Sequence, residues 1–423
     1  MGFITNFSQL AHTPEREKVL TLVESGLTAI QPSQVMHKHF GLQESILHVQ
    51  DQVYDLTLYD NVFLIGFGKG SGGIAKIIEE TLGEHLTDGY VIDNIQTIFK
   101  KIHFTKGTHP FPSQTNLNFT KTVLEKTQNM TEKDLVLVVI CGGGSAMFEY
   151  PASVDLQTLT NTFKALLESG ATISEMNIIR KHLSLVKGGG FAKHLYPATV
   201  VSLLFSDVPG NDMHVIASGP TVKDTVTVKD VLAVLSKYHI TTVTEQDFIE
   251  IPKDEKYFEN VHNVIMVSNM TALTAMQEKA KVLGLSPRIF SDRVEGNAKE
   301  IGKKLIAETK KGEVLLAGGE TTVHVTGKGR GGRNQEVVLA SLSFVDENTI
   351  VLSWDSDGID FDTFAGAIGD KVTLKKEKEL GLNAQSFLQE DNALVFWEKT
   401  GDGIITGKLE SNVSDLFLIY KYA

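Results

Sequence analysis

The chain has 423 residues, 42% hydrophobic and 22% charged, with 40 basic against 52 acidic side chains and a formal charge of −12. That length predicts two or three domains, and the composition excludes a disordered, collagenous or membrane-embedded protein. A net anionic surface disfavours nucleic acid and anionic lipid as partners, so an anion that binds needs a local positive site.

One cysteine, Cys141, excludes an intramolecular disulfide and fits a reducing compartment. The opening residues lack the basic and apolar pattern of a secretory leader, so a cytoplasmic protein is expected. Thr13-Pro14-Glu15 reads as a helix start, with Val19, Leu22, Val23, Leu27 and Ile30 at helical spacing behind it. Short apolar runs follow at Val62 to Phe67, Tyr90 to Ile92, Leu135 to Ile140, Ala198 to Phe205, Val264 to Val267, Val314 to Ala317 and Ile350 to Ser353. Such Val-, Ile- and Leu-rich runs predict strands covered on both faces. Helical patterns lie between them, at Ile74 to Leu82, Leu117 to Gln128, Leu156 to Glu168 and Met270 to Leu283. The alternation predicts an α/β fold with a mostly parallel sheet. A polar stretch near Thr241 to Glu259 marks the expected boundary between a domain of residues 1–250 and one of residues 260–423, which ends in short strands at Gly403 to Thr406 and Leu416 to Tyr420.

In open α/β sheets ligands bind where strands end in loops that enter helices, and the glycine clusters of this chain fall there. The first, Gly66 to Gly73, holds Lys69 among glycines whose bare amides can approach an anion. Gly68, Gly70 and Gly73 also spell G-x-G-x-x-G, and Asp93 follows at the spacing of a dinucleotide fingerprint, which keeps a nicotinamide-dependent reductase open. The second cluster, Gly142-Gly143-Gly144-Ser145, offers bare backbone and a hydroxyl to a phosphate. Cys141 before it reads as a small buried residue. The third, from Ile179 to Gly190, gathers Arg180, Lys181, His182 and Lys187 ahead of a glycine triplet. Asp207, at the end of a strand, suits a hard cation such as magnesium, and Asp212 beside it suits a turn. The fifth segment runs from Gly318 to Glu336 and sets Lys328, Arg330 and Arg333 among glycines, a cradle for a carboxylate or phosphate. Asp355, Asp357 and Asp360 close a strand, where metal contact, nucleotide contact and turn chemistry all stay open. His109, in Gly107-Thr108-His109-Pro110, reads as a packed, hydrogen-bonded histidine. Walker P-loop, protein-kinase, H-E-x-x-H, C-x-x-C and G-x-S-x-G patterns are all missing.

The ordered set GFGKGSGG, GTHPFP, CGGGSAM, IRKHLSLVKGGG, FSDVPGND, IASGPT, GGETTVHVTGKGRGGRNQE and DSDGID resembles the glycerate 2-kinase family, whose C-terminal domain is of the MOFRL type and some of whose members carry a hydroxypyruvate reductase label. The resemblance spans about Lys18 to Phe417. It implies a Rossmann-like N-terminal domain, a smaller α/β C-terminal domain and a site in the cleft between them. It also implies ATP- and Mg2+-dependent phosphorylation of D-glycerate on its C2 hydroxyl. Motif match carries Lys69 and Arg333 over as active-site residues, holding the glycerate carboxylate and the migrating phosphoryl. Gly142, Gly143, Gly144, Ser145, Lys187, Ser218 and Gly219 are then expected at the nucleotide phosphates. Gly68, Ser71, Arg180 and Arg330 are expected at the substrate, and Asp207 and Glu320 at magnesium. A hydroxypyruvate reductase using NAD(P)H and a catalytically silent sugar-acid or nucleotide-binding protein are the alternatives. The chain departs from the family at Phe361 to Phe364, at Thr406 to Asn412, and at Gly190, where an arginine is usual.

Overall fold

A computed structural model describes residues 2–423. The chain forms two compact units. The parallel-sheet unit comprises Val35–Ser206 and Asn211–Met266, and the mixed-sheet unit comprises Met1–Gln34, Asp207–Gly210 and Val267–Ala423. This corrects the expected division at residues 250 to 260. The opening segment belongs with the C-terminal half because the helix Pro14–Ala29 packs on Asn269–Val282, where Gly26 leaves room for Met276. Arg16, fully buried, also binds Asp370 at 2.7 Å and Asp402 at 2.8 Å.

In the parallel-sheet unit, β1 (Phe40–Gln43), β2 (Ile46–Val49) and β3 (Gln52–Asp55) form an antiparallel meander. The main sheet holds β4 (Asn61–Phe67), β5 (Asp88–Asp93), β6 (Ile102–Lys106), β7 (Asp134–Ile140), β8 (Thr199–Phe205) and β9 (Val261–Val267), in the order β6-β5-β4-β7-β8-β9. The pairings β5–β6, β4–β5, β4–β7 and β7–β8 are parallel. β7 is buried at every residue, as its unbroken apolar run requires. The strand order reverses between β4 and β7, so the loops after these two strands lie side by side at a topological switch point. The helices Leu156–Glu168, Ile173–Leu183 and Val228–Tyr238 share a separate apolar cluster around Phe163, Ile179 and Val231.

In the mixed-sheet unit, β10 (Ser286–Asn297), β11 (Glu313–Thr322), β12 (Thr349–Asp355), β13 (Gly366–Gly369), β14 (Gly403–Ile404) and β15 (Asp415–Lys421) run in the order β10-β11-β15-β12-β13-β14. Only the β10–β11 pairing is parallel. Register sets Gly319 of β11 and Asp355 of β12 opposite Asp415 of β15, which brings Glu320, Asp355 and Asp415 to one end of the sheet. Among the described residues no helix is long and apolar enough to cross a membrane.

Candidate active site

In the parallel-sheet unit the first two glycine loops brace each other. Lys69 N donates to Gly142 O at 2.8 Å and Cys141 N to Phe67 O at 3.0 Å. Gly68 sits at φ +104°, where a Cβ would come within 2.4 Å of Cys141 O, so only glycine allows this approach. The loop leaves the Lys69 side chain exposed, with no ion pair or hydrogen bond to its ammonium among the described residues.

The helix that follows, Ser71–Leu82, is not the open anion site that its glycines led us to expect. Asp93 Oδ2 accepts from Gly70 N at 3.0 Å and Gly72 N at 2.9 Å, while Oδ1 accepts from Asn94 N at 2.6 Å. Asp93 is buried and spends its carboxylate on closing this turn, so it has no place for ribose hydroxyls. The dinucleotide fingerprint is therefore spacing without its function. Ser71 is likewise corrected: it is fully buried, and its hydroxyl donates to Ile92 O at 3.1 Å.

The second and third clusters converge on the Ser218 turn. Gly188 N donates to Ser218 O at 3.0 Å and Gly189 N to Gly219 O at 2.8 Å. Ser145 Oγ lies 3.0 Å from Ser218 Oγ, which donates to Asn177 Oδ1 at 2.9 Å. Ala217, Ser218 and Gly219 take φ values of 50°, 64° and 62° in succession. Two consecutive non-glycine residues in the left-handed region store backbone strain that the surrounding hydrogen bonds must hold, a pattern common at ligand sites. Asn177, which the sequence reading missed, is buried with its Nδ2 unpartnered.

Two cations of the third cluster differ in fate. Lys187 is buried, 2.7 Å from Glu149 Oε2 and donating to Phe148 O at 3.0 Å. Its ammonium is consumed inside the protein, which removes it from the expected phosphate contacts. Arg180 lies over the Phe163 ring, 5.0 Å from its centroid, with no carboxylate in ion-pair range. Burial holds its basicity below the usual arginine range, against the pull of Glu149. At Gly190 a Cβ would lie 2.2 Å from Leu185 O, so this backbone has no room for the family's usual arginine.

His109 departs from its expected role as well. Its ring is exposed, makes no hydrogen bond, and rests against Gly143, where a Cβ would meet His109 Cδ2 at 2.8 Å. Burial of its inner edge and the charge of Lys69 push it below the ordinary imidazole range.

The mixed-sheet unit carries the other charged cluster. Arg333 opens the helix Arg333–Ser341 and is ringed by acids. Its Nε lies 2.9 Å from Asp415 Oδ1, Nη1 2.9 Å from Glu320 Oε1, and Nη2 3.3 Å from Asp355 Oδ2. Burial opposes the guanidinium charge, but Asp415, Glu320 and Asp355 outweigh it and raise its pKa. The same crowding pushes Asp355 up to about 8, through burial and then the charges of Asp357 and Asp415. Asp360 is pushed up to about 6 by burial while it accepts from Asn334 N and Gln335 N, both at 3.0 Å. Here too a carboxylate of the protein itself fills the helix N-terminus. The cradle expected for an external anion is thus mostly an internal charge network, with Arg333 keeping two N–H groups beyond those three contacts.

Arg330 is exposed and pairs with Asp362, its guanidinium 6.0 Å from the Phe361 centroid, so the departing segment Phe361 to Phe364 is what it touches. Glu320 is half-exposed, and its pKa is raised by burial and by the charges of Asp415 and Asp207, against Arg333. Asp207 is anchored through its carbonyl, which accepts from Ser414 Oγ. Among the described residues no group of three His, Cys, Asp or Glu side chains is arranged to hold a metal ion.

Residues 18–251 match a family described as a domain of unknown function (DUF4147), and residues 313–415 match the MOFRL family. The chain is 35% identical over 376 residues to the D-glycerate 2-kinase of Thermotoga maritima, covering 85% of this chain and 90% of that one. It is 33% identical over 431 residues to the glycerate 2-kinase of Pyrococcus horikoshii, covering 95% and 96%. The crystal structure of a Thermotoga maritima glycerate kinase superposes with a TM-score of 0.84 at 32% identity, over 96% of this chain and 100% of that one. Fold and kinship together define an α/β kinase of small molecules. The chain belongs to the glycerate 2-kinase family.

Proposed function

We propose that this protein transfers the γ-phosphoryl group of ATP to the C2 hydroxyl of D-glycerate, forming 2-phosphoglycerate and ADP in the cytoplasm. The observation that carries the reading, beside the near full-length kinship, is Lys69. An exposed ammonium with no partner stands on a glycine loop at the switch point of a parallel sheet. Such a cation is placed to hold a carboxylate or a phosphate oxygen. Phosphoryl transfer asks for positioning and charge neutralisation more than for covalent chemistry. Gly142 to Ser145 and the strained Ser218-Gly219 turn supply amides and hydroxyls for phosphate oxygens. Arg180, whose guanidinium has no carboxylate partner in ion-pair range among the described residues, supplies a second positive group, and Arg333 steadies the acidic cluster of the mixed-sheet unit while keeping two N–H groups beyond its three contacts.

Magnesium fits the donor set as a shared ion. It is commonly held by one or two carboxylates, water and substrate phosphates, and Glu320 with Asp207 offers that kind of partial site. When bound it would neutralise charge on the phosphates, while Arg333 fixes the Glu320 carboxylate. The test is ADP release from ATP and Mg2+ with D-glycerate, with the phosphorylated carbon read by 31P NMR. Phosphorus coupled to the C2 proton is expected. ADP release indifferent to D-glycerate, or phosphorylation at C3, would overturn the reading.

A further inference from the structure

The catalytic groups named so far hold charge, and none of them takes the proton that the C2 hydroxyl must lose. We propose that His109 is the general base that receives this proton, a role that rests on the glycerate kinase reading above.

Three observations meet at this side chain. First, its place is set by the site's own backbone. The ring lies on Gly143, a residue at φ +77° where a Cβ would fall 2.8 Å from His109 Cδ2 and 3.2 Å from Nε2. Any other residue at 143 would displace the imidazole, so the bare backbone serves the ring as well as a phosphate. Second, among the described residues both ring nitrogens are without a hydrogen-bond partner, although the ring is exposed. Surrounding carboxylates commonly fix structural histidines; here the acceptor nitrogen is left for a ligand. Third, the charge that acts on it is Lys69, from the adjacent loop. The loop meets the ring through the backbone of Gly143. A cation beside a half-solvated imidazole favours the neutral, basic form. The same cation is the one assigned to the glycerate carboxylate, whose carbon is bonded to C2. On this proposal the C2 hydroxyl lies toward the imidazole when the carboxylate reaches the ammonium.

The step balances as follows. The C2 hydroxyl gives its proton to the unprotonated ring nitrogen as the C2 oxygen bonds to the γ-phosphorus of ATP. The bond from that phosphorus to the β,γ-bridging oxygen breaks, and its electron pair leaves with ADP. The imidazolium then returns the proton to water.

The test compares H109Q and H109A with the wild-type enzyme over a range of pH. Wild-type kcat is expected to fall on an acid limb below the ordinary imidazole range. Each variant is expected to lose that limb and at least about 100-fold in kcat, the size of a general-base contribution. KM for ATP should change by less than about threefold, because the ring is assigned no nucleotide contact. Added imidazole should restore part of the H109A rate. In parallel, carbethoxylation of wild-type His109 by diethyl pyrocarbonate, mapped by mass spectrometry, should be slowed by D-glycerate and abolish turnover. That arm needs no variant to fold. A variant that keeps the wild-type limb and a kcat within about threefold, or a fully carbethoxylated His109 in an active enzyme, would overturn the proposal alone. A wild-type enzyme that forms no ADP with D-glycerate would overturn the kinase reading and this base together.

Discussion

Replacing Arg333 with alanine separates two roles that one guanidinium plays in the mixed-sheet unit. The side chain is 28% exposed and faces Asp415 at 0%, Asp355 at 11% and Glu320 at 47%. Breaking a buried pair from one side costs about 3–5 kcal/mol because the remaining charge is left unpaired. Asp415 keeps Asn334 Nδ2 at 2.7 Å and Thr321 N at 3.1 Å, which places R333A toward the lower end of that range. The half-exposed Glu320 pair adds less than about 1 kcal/mol. The Asp355 contact, the longest of the three at 3.3 Å and to a carboxyl that burial pushes toward its neutral form, adds about 1 kcal/mol. The expected loss is therefore about 4–5 kcal/mol, and D415N in the same chain should recover about half of it as coupling energy. Both tryptophans of the protein, Trp354 and Trp397, are fully buried in this unit, so their fluorescence during urea unfolding reports on it directly. Turnover should fall at least about 100-fold in R333A and stay low in the double variant. A coupling energy below about 0.5 kcal/mol would refute the charge network, and recovered turnover in the double variant would reduce Arg333 to a counter-ion.

Lys69, by contrast, has no partner to leave behind. K69A should lower kcat/KM for D-glycerate at least about 100-fold while stability stays within about 0.5 kcal/mol, read by thermal unfolding and steady-state kinetics. Asp93 should behave in the opposite sense to a ligand residue: D93A strands the Gly70 and Gly72 amides and is expected to cost about 2–4 kcal/mol, with D93N costing less. An unchanged melting temperature in D93A would refute the internal clamp. Asp355 and Asp360 have folded pKa values of about 8 and about 6, above the unfolded carboxylate value of about 4. Each holds its proton more tightly when folded, so its contribution is complete below the unfolded value and is lost as pH rises through the folded one. Stability of the mixed-sheet unit measured between pH 4 and pH 8 should decline on this account, and D355N should flatten the decline; a slope unchanged in D355N would refute the assignment.

The parts of this molecule that sequence makes legible are those fixed by local physics. The apolar strands β4, β7, β8 and β12 announce themselves because burial on both faces forbids polar interruption. Thr13 caps its helix as its neighbours predict, accepting from Arg16 N at 3.2 Å. β10 escapes notice because most of its side chains are only partly covered, so Arg288, Asp292 and Arg293 interrupt the apolar signal. The meander of β1 to β3 escapes it for the same reason. Glycine-rich turns show where a backbone comes bare, but not what fills the space. Two of the supposed anion cradles are filled by Asp93 and Asp360, supplied by other segments of the chain. Asp415 and Asn177 carry no local mark at all. Only strand register and helix packing bring them to Arg333 and Ser218.

The placement of β15 in the middle of its sheet has a consequence for biosynthesis. As the chain emerges from the ribosome, residues 61–267 include all of the parallel sheet, whereas β11 and β12 must wait for the strand between them until residue 421 is made. Until then two half-sheets expose facing edges that could pair wrongly or recruit another chain. A nonsense codon at or just before Asp415 would remove the central rung of the second sheet, and the truncated product would be expected to reach the proteases rather than its substrate.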